Sequence, residues 1–178
     1  MAIDLSIIIV SYNTKKLTED CLAATLRSLK KSTVKTEIIV VDNVSTDGTR
    51  EMLKKKFPSV RAILTTENVG FGRGNNMGIR VAAGEYVLLL NSDTIPLNNS
   101  IGKLLSFGRQ HPNAFIGPKL LNPDRSLQSS CGPFFSLPVV FAALFLKGDA
   151  IGLTRWSPES ARKVDWVSGA CILAPKKL

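Results

Sequence analysis

Four polar clusters each follow a short apolar run, and they carry the side chains with chemistry to offer: Ser11-Tyr12-Asn13, Asp42-Asn43, Asn68 with Gly70, and Asn91-Ser92-Asp93. Tyr12 presents an aromatic face for a nucleobase, and Asp42 a carboxylate that can accept a base imide N–H. Asp93 supplies a hard oxygen ligand for a divalent cation bridging two phosphates. The glycine-rich stretch from Asn68 to Gly78 adds a close backbone approach to such a ligand, with Arg73 able to reach a phosphate and Asn75 a sugar or ribose. Each cluster has a plainer reading as well: a half-buried packing Tyr, an Asp-Asn turn or helix cap, a turn before Pro96, a glycine-rich helix start without a ligand. Their joint placement, with an acidic residue after the second and after the fourth apolar run, favours a nucleoside diphosphate site. The glycine stretch is neither a dinucleotide fingerprint nor a P-loop, because it follows the third run and the first turn contains no glycine.

The elements that must position these residues are legible. Leu5 to Val10 is an Ile-rich run of the kind buried on both faces of a sheet, followed by helical spacing from Lys15 to Lys31 with Asn13 or Thr14 as N-cap. Glu37 to Val41 predicts a second strand and Thr49 to Phe57 a helix stopped at Pro58. Val60 to Leu64 predicts a third strand, Gly72 to Ala83 a helix, Tyr86 to Leu90 a fourth strand and Ser100 to Gln110 a fourth helix. Four strand-helix units with buried strands imply an α/β fold with an open, mainly parallel sheet, whose ligands sit at the carboxyl ends of the strands. Beyond His111 the turn signals Gly117-Pro118, Asn122-Pro123 and Gly132-Pro133 mark an irregular region, and periodicity returns from Val164 to Ala174. Within it, Phe134 to Leu146 reads as plain core or as a membrane-facing patch.

Composition bounds the class. A chain of 178 residues, 44% hydrophobic and 21% charged, fits one globular domain. A net charge of +9 favours anionic partners, whether nucleic acid, an anionic membrane surface or a phosphate-bearing small molecule. Aromatic content of 7% with scattered Lys and Arg lacks the stacking series of a single-strand binder, so no nucleic-acid partner is expected. Cys21, Cys131 and Cys171 are far apart with only His111 to assist, which disfavours a zinc or disulfide framework. The opening MAIDLSIIIVSY has no basic n-region, and Phe134 to Leu146 is shorter than the ~20 residues of a spanning helix. The expected location is cytoplasmic, with peripheral contact on the inner face of the plasma membrane.

The blocks SIIIVSYNT, EIIVVDNVSTDGT, NVGFGRGNNMGI, GEYVLLLNSDT and VDWVSGACILAP, in this order, resemble family 2 glycosyltransferases, especially the bacterial rhamnosyltransferase-like branch. The resemblance implies a GT-A (nucleotide-diphospho-sugar transferase) fold, Rossmann-like with helices flanking the sheet. It also implies inverting transfer from a UDP-, dTDP- or GDP-sugar to a hydroxyl of a lipid-linked or polysaccharide acceptor in cell-surface polysaccharide synthesis, with Mg2+ or Mn2+. By the same resemblance Asp93 carries the metal, Asn91 touches ribose or phosphate, and Ser168-Gly169-Ala170 line the donor-sugar and acceptor side. The family's catalytic carboxylate follows the last of these blocks by some tens of residues, so the base is expected beyond Leu178. The chain then reads as one GT-A domain, 1–110 the nucleotide-binding half and 111–178 a partial acceptor-side region. A non-catalytic nucleotide-sugar-binding module is the alternative. A sugar-nucleotide nucleotidyltransferase would need a glycine-rich first turn, which Ser11-Tyr12-Asn13-Thr14 does not provide.

Overall fold

The computed structural model describes residues 2–30, 32–146 and 152–178. In chain order the first elements are β1 (Ile3–Ser11), α1 (Lys15–Leu29), β2 (Thr36–Asp42), α2 (Thr49–Lys56), β3 (Arg61–Leu64), α3 (Phe71–Val81), β4 (Gly84–Leu90) and α4 (Ser100–Gln110). There follow β5 (Leu120–Leu121), β6 (Leu127–Gln128), β7 (Cys131–Gly132), α5 (Leu137–Phe145), β8 (Trp166–Val167) and β9 (Cys171–Pro175). The expected α4 is reproduced residue for residue, and the other early elements shift by one or two residues at their ends. Lys31, the expected end of the first helix, lies outside the described residues.

Two compact units emerge: Met1–Ile116 with Gly169–Leu178, and Gly117–Ser168. The first is built on a five-stranded sheet of order β3-β2-β1-β4-β9, parallel except for β9, which runs antiparallel to β4. Residues 169–178 thus belong with the sheet. β1 sits at its centre because its run from Leu5 to Ile9 is apolar on both faces apart from Ser6, and every one of these side chains is fully buried. Register sorts the faces. Ile8 pairs with Ile39 and Leu89 and packs with Ile79 and Val81 of α3, whereas Ile7 pairs with Leu88 and Leu88 with Leu173, which lies against Gly108 of α4. β3 departs from the expected buried strand. It is the sheet edge, three of its four residues are exposed, and its opening Arg61 suits a strand with only one neighbour.

Two glycines permit close packing on β1. A Cβ on Gly78 would lie 2.5 Å from Ile8 Cγ2, so α3 can lie close on β1 only without it. A Cβ on Gly84 would lie 2.5 Å from the backbone nitrogen of Ser6, where Gly84 N–H also donates to Ser6 Oγ at 2.8 Å. Backbone cannot step aside as a side-chain tip can. Gly84→Ala is therefore expected to cost about 1–3 kcal/mol in urea unfolding, with the m-value unchanged; a midpoint equal to that of the parent would refute this packing.

The second unit holds two short antiparallel ladders, β5 with β6 and β7 with β8, and the helix α5. Trp156 bridges to Cys131 beside the second ladder, exchanging backbone hydrogen bonds of 2.9 Å and 3.2 Å. The segment from Phe134 to Leu146 is not core. Of its large apolar residues Leu137 is 87% and Leu144 71% exposed, and no residue of α5 is buried.

Candidate functional site

The strand ends are level because the register is in phase: Ser11 pairs with Asp42 and Asp42 with Leu64. A cavity of about 360 Å³ opens there, lined by Val10, Tyr12, Thr14, Asn43, Asn68, Gly70, Phe71, Asn91, Ser92 and Asp93. Of the residues expected from sequence, Tyr12, Asn68, Asn91, Ser92 and Asp93 are brought together in its wall. Ser11, Asn13, Asp42, Arg73 and Asn75 are not part of that wall.

Those outside it have other partners. Ser11 is fully buried, its hydroxyl 3.0 Å from Thr14 Oγ1 and 2.9 Å from Thr18 Oγ1, and Thr14 Oγ1 donates onward to Ser92 Oγ at 3.2 Å. This hydroxyl chain ties the turn after β1 to the turn after β4. Asn13, at φ 52°, accepts the Thr46 N–H on Oδ1 at 2.8 Å, while its own N–H donates to Ser45 Oγ at 3.0 Å. Asn75 is buried and returns its Nδ2 to the Phe71 carbonyl at 3.1 Å, one helical turn back; Arg73 is exposed on the same helix.

Helix α1 has no side-chain cap of its own. Asp47 supplies one from the loop after β2, accepting the Lys15 N–H on Oδ2 at 2.8 Å and the Thr49 N–H and hydroxyl on Oδ1 at 3.1 Å and 2.6 Å. Partial burial pushes the Asp47 carboxyl up, but the bonds from Thr49 and Lys15 outweigh it and hold the group below its ordinary value. One carboxylate thereby joins two helix starts beside the cavity.

Asp42 is fully buried. Its Oδ2 accepts from Arg50 Nε at 2.6 Å and from the Ser45 N–H at 3.3 Å, and Arg50 Nη2 also donates to the Thr65 carbonyl at 2.7 Å. Asp42 Oδ1 is buried without a hydrogen-bond partner. The next residue, Asn43, is the one that reaches the cavity: its Nδ2 donates to Asn68 Oδ1 at 2.6 Å and its Oδ1 accepts the Val69 N–H at 2.8 Å. Asn68 Oδ1 also accepts the Gly70 N–H at 2.9 Å, and Gly70 itself adopts φ 79°, a conformation that favours glycine. Sequence reasoning counted Asn43 in the strand-end Asp42-Asn43 cluster but gave the site role to Asp42 alone, and it missed Val10, Thr14 and Phe71 as wall residues. The Asp-Asn pair at a strand end was the available signal for Asn43.

At the end of β4, the Asn91 N–H donates to the Ala170 carbonyl at 2.9 Å, and Thr94 Oγ1 donates to the same oxygen at 3.3 Å. The β4–β9 pairing of Leu90 with Cys171 delivers Ala170 there. Gly169 is exposed next to it, and a Cβ there would meet nothing within 4 Å; Ser168, in the second unit, donates its N–H to the Ser130 carbonyl at 2.7 Å. Asn91 Oδ1 is buried and lacks a partner, and Asp93 is exposed at the mouth. Cys21 lies just beneath, its thiol 3.6 Å from the Asn91 carbonyl, and burial pushes both Cys21 and Cys171 up to about 12, so neither is a reactive thiolate.

A parallel β3-β2-β1-β4 sheet flanked by helices, closed by an antiparallel strand and opening a polar cavity at its strand ends, defines a GT-A-type fold. A mannosyltransferase from Pyrobaculum calidifontis, solved in complex with GDP-Man and Mn2+, superposes with a TM-score of 0.58 at 22% identity, over 70% of this chain and 37% of that one. S. aureus TarS 1–349 in complex with UDP does so at 0.56 and 20% identity, over 78% and 44%. The chain belongs to glycosyl transferase family 2, whose description matches residues 6–127. A curated relative, the N-acetylglucosaminyl-diphospho-decaprenol L-rhamnosyltransferase of Mycobacterium tuberculosis, is 31% identical over 156 residues, which are 76% of this chain and 50% of the relative. The chain spans about half the length of that relative.

Proposed function

We propose that this chain binds a nucleoside diphospho-sugar at the β-strand ends and belongs to an enzyme that transfers the sugar, with inversion, to a hydroxyl of a lipid-linked acceptor in cell-surface polysaccharide synthesis. The observation that carries this reading is the wall of the 360 Å³ cavity, where an aromatic face 48% exposed, Tyr12, and an exposed carboxylate, Asp93, stand among the amides of Asn43, Asn68 and Asn91. Tyr12 stacks the base. Asp42, held by Arg50 beneath the wall, braces the base side through its neighbour Asn43, and Arg73, exposed on α3, serves the phosphate side. The first unit serves the donor, with Gly169 and Ala170 on the sugar side. The lipid linkage is supported by the diphospho-decaprenol named for the mycobacterial relative.

The donor set fits Mg2+ or Mn2+. Asp93 offers hard carboxylate oxygens and Asn91 an amide oxygen with no protein partner, and the described residues hold no cluster of three His, Cys, Asp or Glu. A site so sparing in protein ligands suits a cation that draws most of its coordination from diphosphate oxygens and water. When bound, the cation neutralises charge growing on the departing diphosphate. The chain's own part is positional: Asn91 is pinned through its backbone to Ala170, and Ser92 through Thr14, so the metal-side turn is set before the donor arrives.

Calorimetric titration with UDP, dTDP and GDP, each with and without Mn2+, tests the reading. One diphosphate is expected to bind at least ~10-fold more tightly with the metal. If none of them binds under either condition, the nucleotide site is wrong; if binding ignores the metal, the cation is.

A further inference from the structure

We propose that α5 is a bilayer-docking element, which inserts into the apolar part of a lipid leaflet while Arg155 and the aromatic residues at its base meet anionic headgroups. The proposal extends the lipid-linked acceptor reading, but it rests on the second unit alone.

The sequence of α5, LPVVFAALF, contains no polar side chain on any face. Protein helices of that kind are buried, yet this one has no buried residue, and only Val139 and Ala142 are even partly shielded. Leu137, Phe141, Leu144 and Phe145 are each more than half exposed, and so is Phe134 just before the helix. A partner groove would cover one stripe of such a helix and leave the rest in water, whereas lipid surrounds every face. Nine residues span ~14 Å, about half of a ~30 Å hydrocarbon core, so the helix reaches into one leaflet and does not cross. Among the described residues no helix is long and apolar enough to span a membrane.

The base of the helix has interfacial chemistry. Phe135 stacks on Trp166 with ring centroids 5.8 Å apart, and the Arg155 guanidinium lies 5.9 Å from the Trp166 ring centroid. Trp166 Nε1–H donates to the Pro133 carbonyl at 2.9 Å, and the Asp165 carboxylate accepts the Phe134 N–H at 2.8 Å, so both strand and helix approach are anchored. An aromatic ring with its polar edge satisfied, next to a cation, is the composition of a membrane-water boundary. Charge agrees: the described residues of this unit carry Lys119, Arg125, Arg155, Arg162 and Lys163 against Asp124, Glu159 and Asp165, on a chain of net charge +9. Such an excess is attracted by an anionic leaflet and indifferent to a neutral one.

Flotation of the chain with phosphatidylglycerol/phosphatidylcholine vesicles, set against phosphatidylcholine alone, tests this. The parent is expected to float with the anionic vesicles, and the variant carrying Phe141→Glu and Leu144→Glu to lose on the order of tenfold or more in partitioning. Both positions are exposed, so the variant should keep the parent's melting temperature; a melt unchanged with flotation lost supports docking. Absence of flotation by the parent, or equal flotation by the variant, overturns it. So does sedimentation of the parent as a dimer that the variant dissociates, which would assign the patch to a second copy. Diphosphate titration of the same preparations reports on the donor site separately, so a failed flotation leaves that reading standing and a failed titration leaves this one.

Discussion

Asp93→Ala is expected to abolish the Mn2+-dependent part of diphosphate binding, with an affinity loss on the order of 100-fold, equivalent to ~3 kcal/mol. Asp93 is the acidic residue in the cavity wall, so removing it leaves the cation no carboxylate there. Because the side chain is exposed, folding stability should move by no more than ~0.5 kcal/mol. The pairing of a large binding loss with an unchanged melt separates a ligand role from a structural one. Asp93→Asn refines the result: it keeps shape and one hard oxygen but not the charge, and should retain an intermediate affinity. Calorimetry at fixed Mn2+ reads all three proteins. Parental affinity in the alanine variant would remove Asp93 from the metal site.

Arg50→Ala should act oppositely, on the fold first. It strands a fully buried carboxylate, Asp42, by removing the 2.6 Å Nε contact, and it also deletes the 2.7 Å bond to the Thr65 carbonyl that ties the end of β3 to α2. Breaking one side of a buried pair costs about 3–5 kcal/mol; with Arg50 itself 34% exposed, about 3 kcal/mol is expected. For a chain of this length that lowers the melting temperature by roughly 6–12 °C. Arg50→Lys keeps the charge but not the two-pronged geometry and should recover only part of the loss. Adding Asp42→Asn to Arg50→Ala removes the stranded charge, so the double variant should be more stable than Arg50→Ala alone. If the single variant melts within ~1 °C of the parent, the pair does not brace the strand ends.

These two residues show what kind of site this is. Asp93 stands free at the mouth, while Asp42 is spoken for by the protein on one oxygen and orphaned on the other. Around them the supports are short and mutual: the hydroxyl chain from Ser11 to Ser92, the Asp47 carboxylate shared by two helix starts, and the Asn43–Asn68 amide pair that holds the loop before α3. Each bridges residues distant in sequence, so the cavity wall is preformed by the loops themselves.

The amino-acid sequence by itself determined the order of strands and helices from β1 to α4 and the level at which Tyr12, Asn68, Asn91 and Asp93 emerge. Both follow from local periodicity: an apolar run on a parallel strand must end where water begins, and polar residues crowd that end. Only the tertiary structure decided which neighbour in each pair faces the cavity. Asn43 lines it and Asp42 turns inward because Arg50, eight positions on, is carried back over the strand end by α2. Ala170 meets Asn91 because β9 pairs antiparallel with β4, a contact across 79 positions that no local pattern encodes. The same limit explains β3, which read as a buried strand and is mostly exposed, and Phe134 to Leu146, which read as core or as a membrane-facing patch and is not core: hydrophobicity says what a segment would bury, and only the packed chain supplies, or withholds, the surface that buries it.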